Sequence, residues 1–110
     1  MKTVDVGKDF YFRLANRNEL QGDGKHTALE FRSKYLSELD NELAWKDMAP
    51  FIIFDFTNVK RIGPSFANEA FAYFMKYTKP DNFMQKIQFK NIDEVDTGII
   101  RKELLSGYKK

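Results

Sequence analysis

Residues 51–56 read FIIFDF, directly after Pro50. The run is too short for an independent helix, and its aromatic and β-branched residues suit a strand buried on both faces. Such a strand belongs in the middle of a sheet, so its neighbours and the layers that cover it must come from the flanking sequence. Asp55 interrupts the run. An ionised carboxylate in a central strand is costly unless it is paired or hydrogen-bonded, so Asp55 is expected near the strand's end or among partners. Ligands of open α/β sheets gather at the carboxyl ends of strands, which makes Asp55 and the loop after it a candidate site.

Downstream, the turn-like TNVKRIGP leads into a helix expected from Ser65 to about Tyr77, stopped before Pro80. Phe66, Ala67, Ala70, Phe71, Phe74 and Met75 form one wide apolar stripe along it, in which the alanines permit close approach to a sheet. KIQFK at 86–90 alternates as a strand does, and Val95, Ile99, Ile100 and Leu104 fit a last helix that Gly107 would end.

Upstream, Ala28, Phe31, Tyr35 and Leu39 follow helical spacing with Leu36 and Leu43 beside them, predicting an amphipathic helix from Thr27 to about Leu43 with Thr27 as its cap. The polar, glycine-containing segment 16–26, NRNELQGDGKH, reads as a loop. Before it, Val4 and Val6, then Phe10, Phe12 and Leu14, alternate around Gly7-Lys8-Asp9, the pattern of two strands joined by a turn. The order is therefore β-β-α-β-α-β-α: one α/β domain over residues 1–110. Its sheet is expected to be mixed, of about four strands, with an antiparallel N-terminal edge and helices packed on it.

Composition narrows the chemistry. A chain of 110 residues suits one core. Eleven Phe and five Tyr predict an aromatic-rich interior. With 18 basic and 16 acidic side chains interspersed along the chain, the net charge of +2 lacks the clustered basic excess of a nucleic-acid binder. There is no cysteine, which excludes disulfides, thiolate zinc sites and a cysteine nucleophile. Neither a signal-peptide pattern nor an apolar run of membrane-spanning length is visible, and the expected location is cytoplasmic, without a membrane partner. The closing Tyr108-Lys109-Lys110 reads as a frayed, solvated end.

Motifs for catalysis or cofactors are sparse. GDGKHT at 22–27 resembles the end of a phosphate-binding loop, but that motif needs glycine where Glu19 stands and Ser or Thr where His26 stands. A looser anion site at the helix start would draw on Arg17, Lys25, His26 and Arg32, since helix N-termini favour negative charge. His26 is the only histidine. It begins a different helix from Ser65, and nothing in the sequence pairs them as base and nucleophile. The carboxylates are too scattered for a magnesium site, and no cofactor is expected. Ser65 stands where a helix cap would, a role that accounts for it without any further function.

At FIIFDFTNVKRIGPSFANEAF the chain resembles the STAS domains, known as anti-sigma factor antagonists and as the cytoplasmic ends of sulfate transporters. It is more closely similar to a STAS-like family of uncharacterised bacterial domains, in which an apolar strand ending in Asp leads to P-S-F-x-x-E, here Pro64, Ser65, Phe66 and Glu69. The likeness extends to Arg17, the glycines at 22 and 24, and Phe31-Arg32. In the antagonists the corresponding turn is D-S-[ST]-G, whose hydroxyl residue is phosphorylated by a kinase that is also an anti-sigma factor. Ser65 matches that acceptor in position, while Gly63-Pro64 and Phe66 differ from the antagonist turn. The resemblance implies a non-enzymatic, regulatory protein–protein interaction domain with an ATP-binding kinase-like or anti-sigma-type partner. Ser65, Asn68, Glu69 and Asp55 are the expected contact residues, with Asn68 and Glu69 on the polar side of the helix. The alternative is a small-ligand or anion sensor built on the basic, Gly-rich loop 16–27.

Overall fold

A computed structural model describes residues 1–17 and 26–109. In chain order the elements are β1 (Lys2–Asp5), α1 (Val6–Asp9), β2 (Arg13–Leu14), α2 (Ala28–Tyr35), β3 (Ile52–Asp55), β4 (Arg61–Ile62), α3 (Pro64–Ala70), α4 (Pro80–Lys86), β5 (Ile87–Lys90) and α5 (Glu94–Ser106). Short 3-10 turns come after α2 at Ser37–Leu39 and Leu43–Trp45, and another comes after α3 at Ala72–Lys76.

FIIFDF supplies the central strand, as expected, but it is not buried on both faces: Ile52 and Phe54 are buried, whereas Ile53 and Asp55 on the other face are half-buried. β3 lies between β1 and β5 and pairs with both in parallel, Phe54 standing beside Val4 on one side and Phe89 on the other. The expected N-terminal hairpin does not form. Gly7 lies in α1, which Asp5 caps by accepting from the Lys8 N–H at 3.1 Å. The chain then leaves the first sheet, and β2 pairs in parallel with β4 as a separate two-stranded sheet. The described strands thus form two parallel sheets of three and two strands in place of one mixed sheet of about four. Alternation along Val4, Val6 and Leu14 reports a buried face, and it is silent about which strand lies alongside. Gly7 has a packing reason instead: a Cβ there would sit 2.1 Å from the Asn58 carbonyl oxygen.

The helices are also shorter than their apolar periodicity. α2 ends at Tyr35, and the turns after it bury Leu39 and Trp45, whose indole N–H donates to the Leu39 carbonyl at 2.8 Å. α3 ends at Ala70 and tightens into the 3-10 turn that buries Phe74. α4 is an unexpected element: Pro80, expected from the sequence as a stop, also starts a helix at N1, where its missing N–H leaves no bond unmade. α5 ends at Gly107, whose φ of 81° suits glycine and whose N–H returns to the carbonyls of Glu103 and Leu104.

The interior is aromatic. Phe31, Phe54, Phe66, Phe71, Phe74 and Phe83 are fully buried, and pairs such as Phe31–Phe71 (5.7 Å, 88°) meet edge to face, the arrangement that the ring quadrupoles favour. α3 packs against α2 on one side and α5 on the other. That position decides the site.

Candidate functional site

The P-S-F-x-x-E stretch opens where β4 delivers the chain into α3. Gly63 occupies the N-cap position in extended backbone (φ −97°, ψ 160°), and its N–H bonds the Leu14 carbonyl at 2.8 Å. Pro64 takes N1, so Ser65 falls one step further in. Ser65 is therefore not the cap, which corrects the expectation from the sequence; among the described residues, no side chain caps α3. The physical reason is that proline's fixed φ and absent N–H suit N1, which moves the cap to the residue before it. Ser65 is exposed, and its hydroxyl makes no hydrogen bond among the described residues.

Asn68 and Glu69 do not lie on an exposed polar side. They are 1% and 8% exposed, because α2 and α5 cover α3 from both sides. Glu69 accepts from the Arg17 Nε at 3.0 Å and from Arg32 Nη1, which also reaches the Glu69 carbonyl at 2.7 Å. The Tyr108 hydroxyl donates to the same carboxylate at 2.9 Å. Asn68 accepts from the Arg17 Nη2 at 3.1 Å and donates to the Glu103 carboxylate at 3.1 Å. The Arg32 guanidinium lies 3.5 Å from the centre of the Tyr73 ring, a close cation–π contact. Burial without these partners would be costly for Glu69; with them, charges and lone pairs are compensated.

The structure thus brings Arg17 and Arg32 together, as an anion site would require, but Glu69 supplies the anion. His26 is elsewhere: its ring stacks on Tyr11 at 4.0 Å and 6°, with Phe10 edge-on at 5.7 Å. Among the described residues, no hydrogen bond joins it to Ser65. Lys25 lies outside the described residues, as does most of the loop 16–27.

Asp55 ends β3 and is held by its neighbours. It accepts from the Thr57 hydroxyl at 2.6 Å, the Thr57 N–H at 2.9 Å and the Asn91 side chain at 3.0 Å, with Lys90 Nζ 3.9 Å away. The Thr57 hydroxyl first, then Asn91 and the Thr57 N–H, pull its carboxyl down to about 2. Asn91 takes a left-handed φ of 55°, which Asn tolerates well. These bonds give Asp55 a structural role at the end of the sheet.

Sequence reasoning missed the residues that complete the cluster. Tyr108 and Lys109 are not frayed: beyond the Tyr108 bond to Glu69, the Lys109 N–H donates to Asn68 Oδ1 at 2.8 Å. Nearby, Asp40 accepts from the hydroxyls of Tyr73 at 2.8 Å and Tyr77 at 2.7 Å, while Lys76 Nζ reaches the Tyr73 hydroxyl at 2.6 Å. Burial raises the Asp40 carboxyl, but the bonds from Tyr77 and Tyr73 and the charges of Lys76 and Arg32 outweigh it, so the group stays below its ordinary value. The only available signal was composition, since polar aromatics that enter an interior need partners.

Chemically the arrangement is suited to holding and being held. Among the described residues, no group of three or more His, Asp or Glu side chains is placed to bind a metal ion, and no helix is long and apolar enough to cross a membrane. A family model described as a STAS-like domain of unknown function matches residues 28–97. No match was found among the curated proteins or among the solved structures.

Proposed function

The chain belongs to the STAS-like family, whose model spans more than half of its residues, and on that premise we propose that it is a non-enzymatic regulatory module that binds a protein partner through the start of α3 and the loop before it. The observation that carries this reading is the state of Ser65: exposed, one residue inside α3, with its hydroxyl free because Gly63 takes the cap position. A serine that neither caps nor packs has no structural task at that position. Modification there would change the surface at little cost to the fold.

The partner in this reading is an ATP-binding kinase-like or anti-sigma-type regulator, by analogy with the antagonists that the turn resembles. Phosphorylation of Ser65 would add a charge of about −1.5 to −2 to that surface and so switch the contact. Asn68 and Glu69 serve it indirectly, by anchoring α3 to its neighbours. The alternative reading, an anion sensor, has less support because Arg17 and Arg32 already engage Glu69.

Affinity purification with the wild type, Ser65→Ala and Ser65→Asp, followed by mass spectrometry, tests the switch. A protein retained by wild type and Ser65→Ala but lost by Ser65→Asp supports it. Equal recovery with both variants removes it.

A further inference from the structure

Residues 107–109, Gly-Tyr-Lys, lie against α3, and each of the three makes contacts there. The Gly107 carbonyl accepts from Asn68 Nδ2 at 2.9 Å, while the Lys109 N–H donates to Asn68 Oδ1 at 2.8 Å, so one buried amide grips the main chain on either side of Tyr108. The Tyr108 hydroxyl donates to Glu69, its ring lies 5.6 Å from the Arg17 guanidinium and meets the Tyr73 ring edge-on at 5.2 Å. Arg17 also donates to the Lys109 carbonyl, and Lys109 Nζ stands 3.9 Å from the Glu103 carboxylate.

This pattern differs from docking by apolar contact. The segment is only half-buried or exposed, whereas the groups that hold it, Asn68, Glu69 and Glu103, are 1%, 8% and 7% exposed. Gly107, at φ 81°, breaks α5 so that the segment can lie down. The Asn68 amide pairs with both a carbonyl and an N–H of the segment, so the segment is held through its main chain, and main-chain hydrogen bonds are what give affinity in strand-type peptide recognition.

We propose that Arg17, Asn68, Glu69, Tyr73 and Glu103 form a peptide-recognition groove for a Gly-Tyr-Lys segment, and that the chain's own residues 107–109 occupy it as an intramolecular competitor. The ligand class is defined by the same contacts: a small residue, a tyrosine whose hydroxyl meets a carboxylate, then a basic residue. A tethered occupant acts at an effective concentration in the millimolar range, so an outside segment must outbid it or arrive when it is loosened. An open cleft of about 650 Å³, lined by Tyr73, Met75, Lys76, Gly107 and Tyr108, gives an incoming segment access beside residues 107–109. The groove depends on residues 107–109 and not on Ser65, so it stands or falls apart from the proposed switch.

The test uses the chain carrying Tyr108→Ala and Lys109→Pro, which removes the hydroxyl and the N–H that secure the segment. The peptide acetyl-Ser-Gly-Tyr-Lys-amide is titrated into it while the Asn68 side-chain amide is followed by NMR. Saturable shifts are expected in the variant, with binding to the wild type at least tenfold weaker. Replacing the peptide's Tyr by Phe should weaken binding roughly tenfold, through loss of one bond to a charged acceptor. Cooperative melting identifies the folded variant; if the double variant lacks it, Lys109→Pro alone carries the same expectation. A folded variant that shows no saturable shift, or that binds no better than the wild type, overturns the proposal.

Discussion

Glu69→Gln should be the most damaging conservative change in this protein. Gln keeps the volume and one acceptor but removes the charge that two guanidinium groups share. The side chains of Glu69, Arg17 and Arg32 are 11%, 20% and 13% exposed, so the cations left behind have little water to turn to. Breaking a buried pair by removing one partner costs about 3–5 kcal/mol, whereas exposed pairs are worth about 0–1 kcal/mol. Because Arg17 retains a fifth of its exposure, we expect the lower end, about 3 kcal/mol. At about 4–8 °C per kcal/mol for a domain near this size, the melting temperature should fall by about 12–24 °C. Urea unfolding of wild type and Glu69→Gln measures the difference directly, with Lys90→Ala as the exposed control, since the Lys90 side chain is 52% exposed beside Asp55. A loss for Glu69→Gln below about 1 kcal/mol would refute the argument, because the cluster would then behave as a surface pair.

Ser65→Ala should change stability by less than about 0.5 kcal/mol, as expected for a surface site, whereas Thr27→Ala should cost about 1 kcal/mol, because Thr27 Oγ1 accepts from the Glu30 N–H at 3.2 Å and caps α2; chemical denaturation that ranks them the other way would return the capping role to Ser65. Gly7→Ala should destabilise by at least about 1–3 kcal/mol through overpacking, since the new Cβ would meet backbone at Asn58, and a neutral result would mean that this contact gives way. Asp55 predicts a pH effect of definite sign: its folded carboxyl is depressed from 3.8 to about 2, so it stabilises the fold above the unfolded value, and that contribution is lost as pH falls from about 4 towards 2. Asp55→Asn should flatten the stability profile in that window, and an unchanged profile would contradict the assignment.

Much of the fold was legible because it arises from local chemistry. FIIFDF was legible as a central strand from its aromatic and β-branched residues, but its degree of burial was not, since Ile52 and Phe54 on one face are buried while Ile53 and Asp55 on the other are only half-buried. Thr27 and Gly107 marked helix ends because capping and positive φ are properties of single residues. Pro80 was visible as a boundary, but its second meaning, the start of α4, depends on residues 81–86 continuing as a helix. The lost hairpin shows the limit of periodicity: Val4 and Leu14 each alternate as buried strand residues do, yet their partners are Phe54 and Ile62, far along the chain.

The site divides along the same line. The sequence by itself marked Arg17, Arg32, Ser65 and Glu69 as members of a recurring pattern and made Asp55 a strand-end carboxylate. It could not show that Arg17 and Arg32 converge on Glu69, because 52 residues separate Arg17 from Glu69 and 37 separate Arg32 from it. Nor could it show that Pro64 displaces Ser65 from the cap, or that Tyr108 and Lys109 dock on a buried asparagine and glutamate. Those facts arise from α3 being packed between α2 and α5, which turns a nominally polar helix face into an interior one. Burial then decides function: the same carboxylate that would be a solvated surface charge becomes a fixed anchor, because in the interior a charge must be answered by named partners.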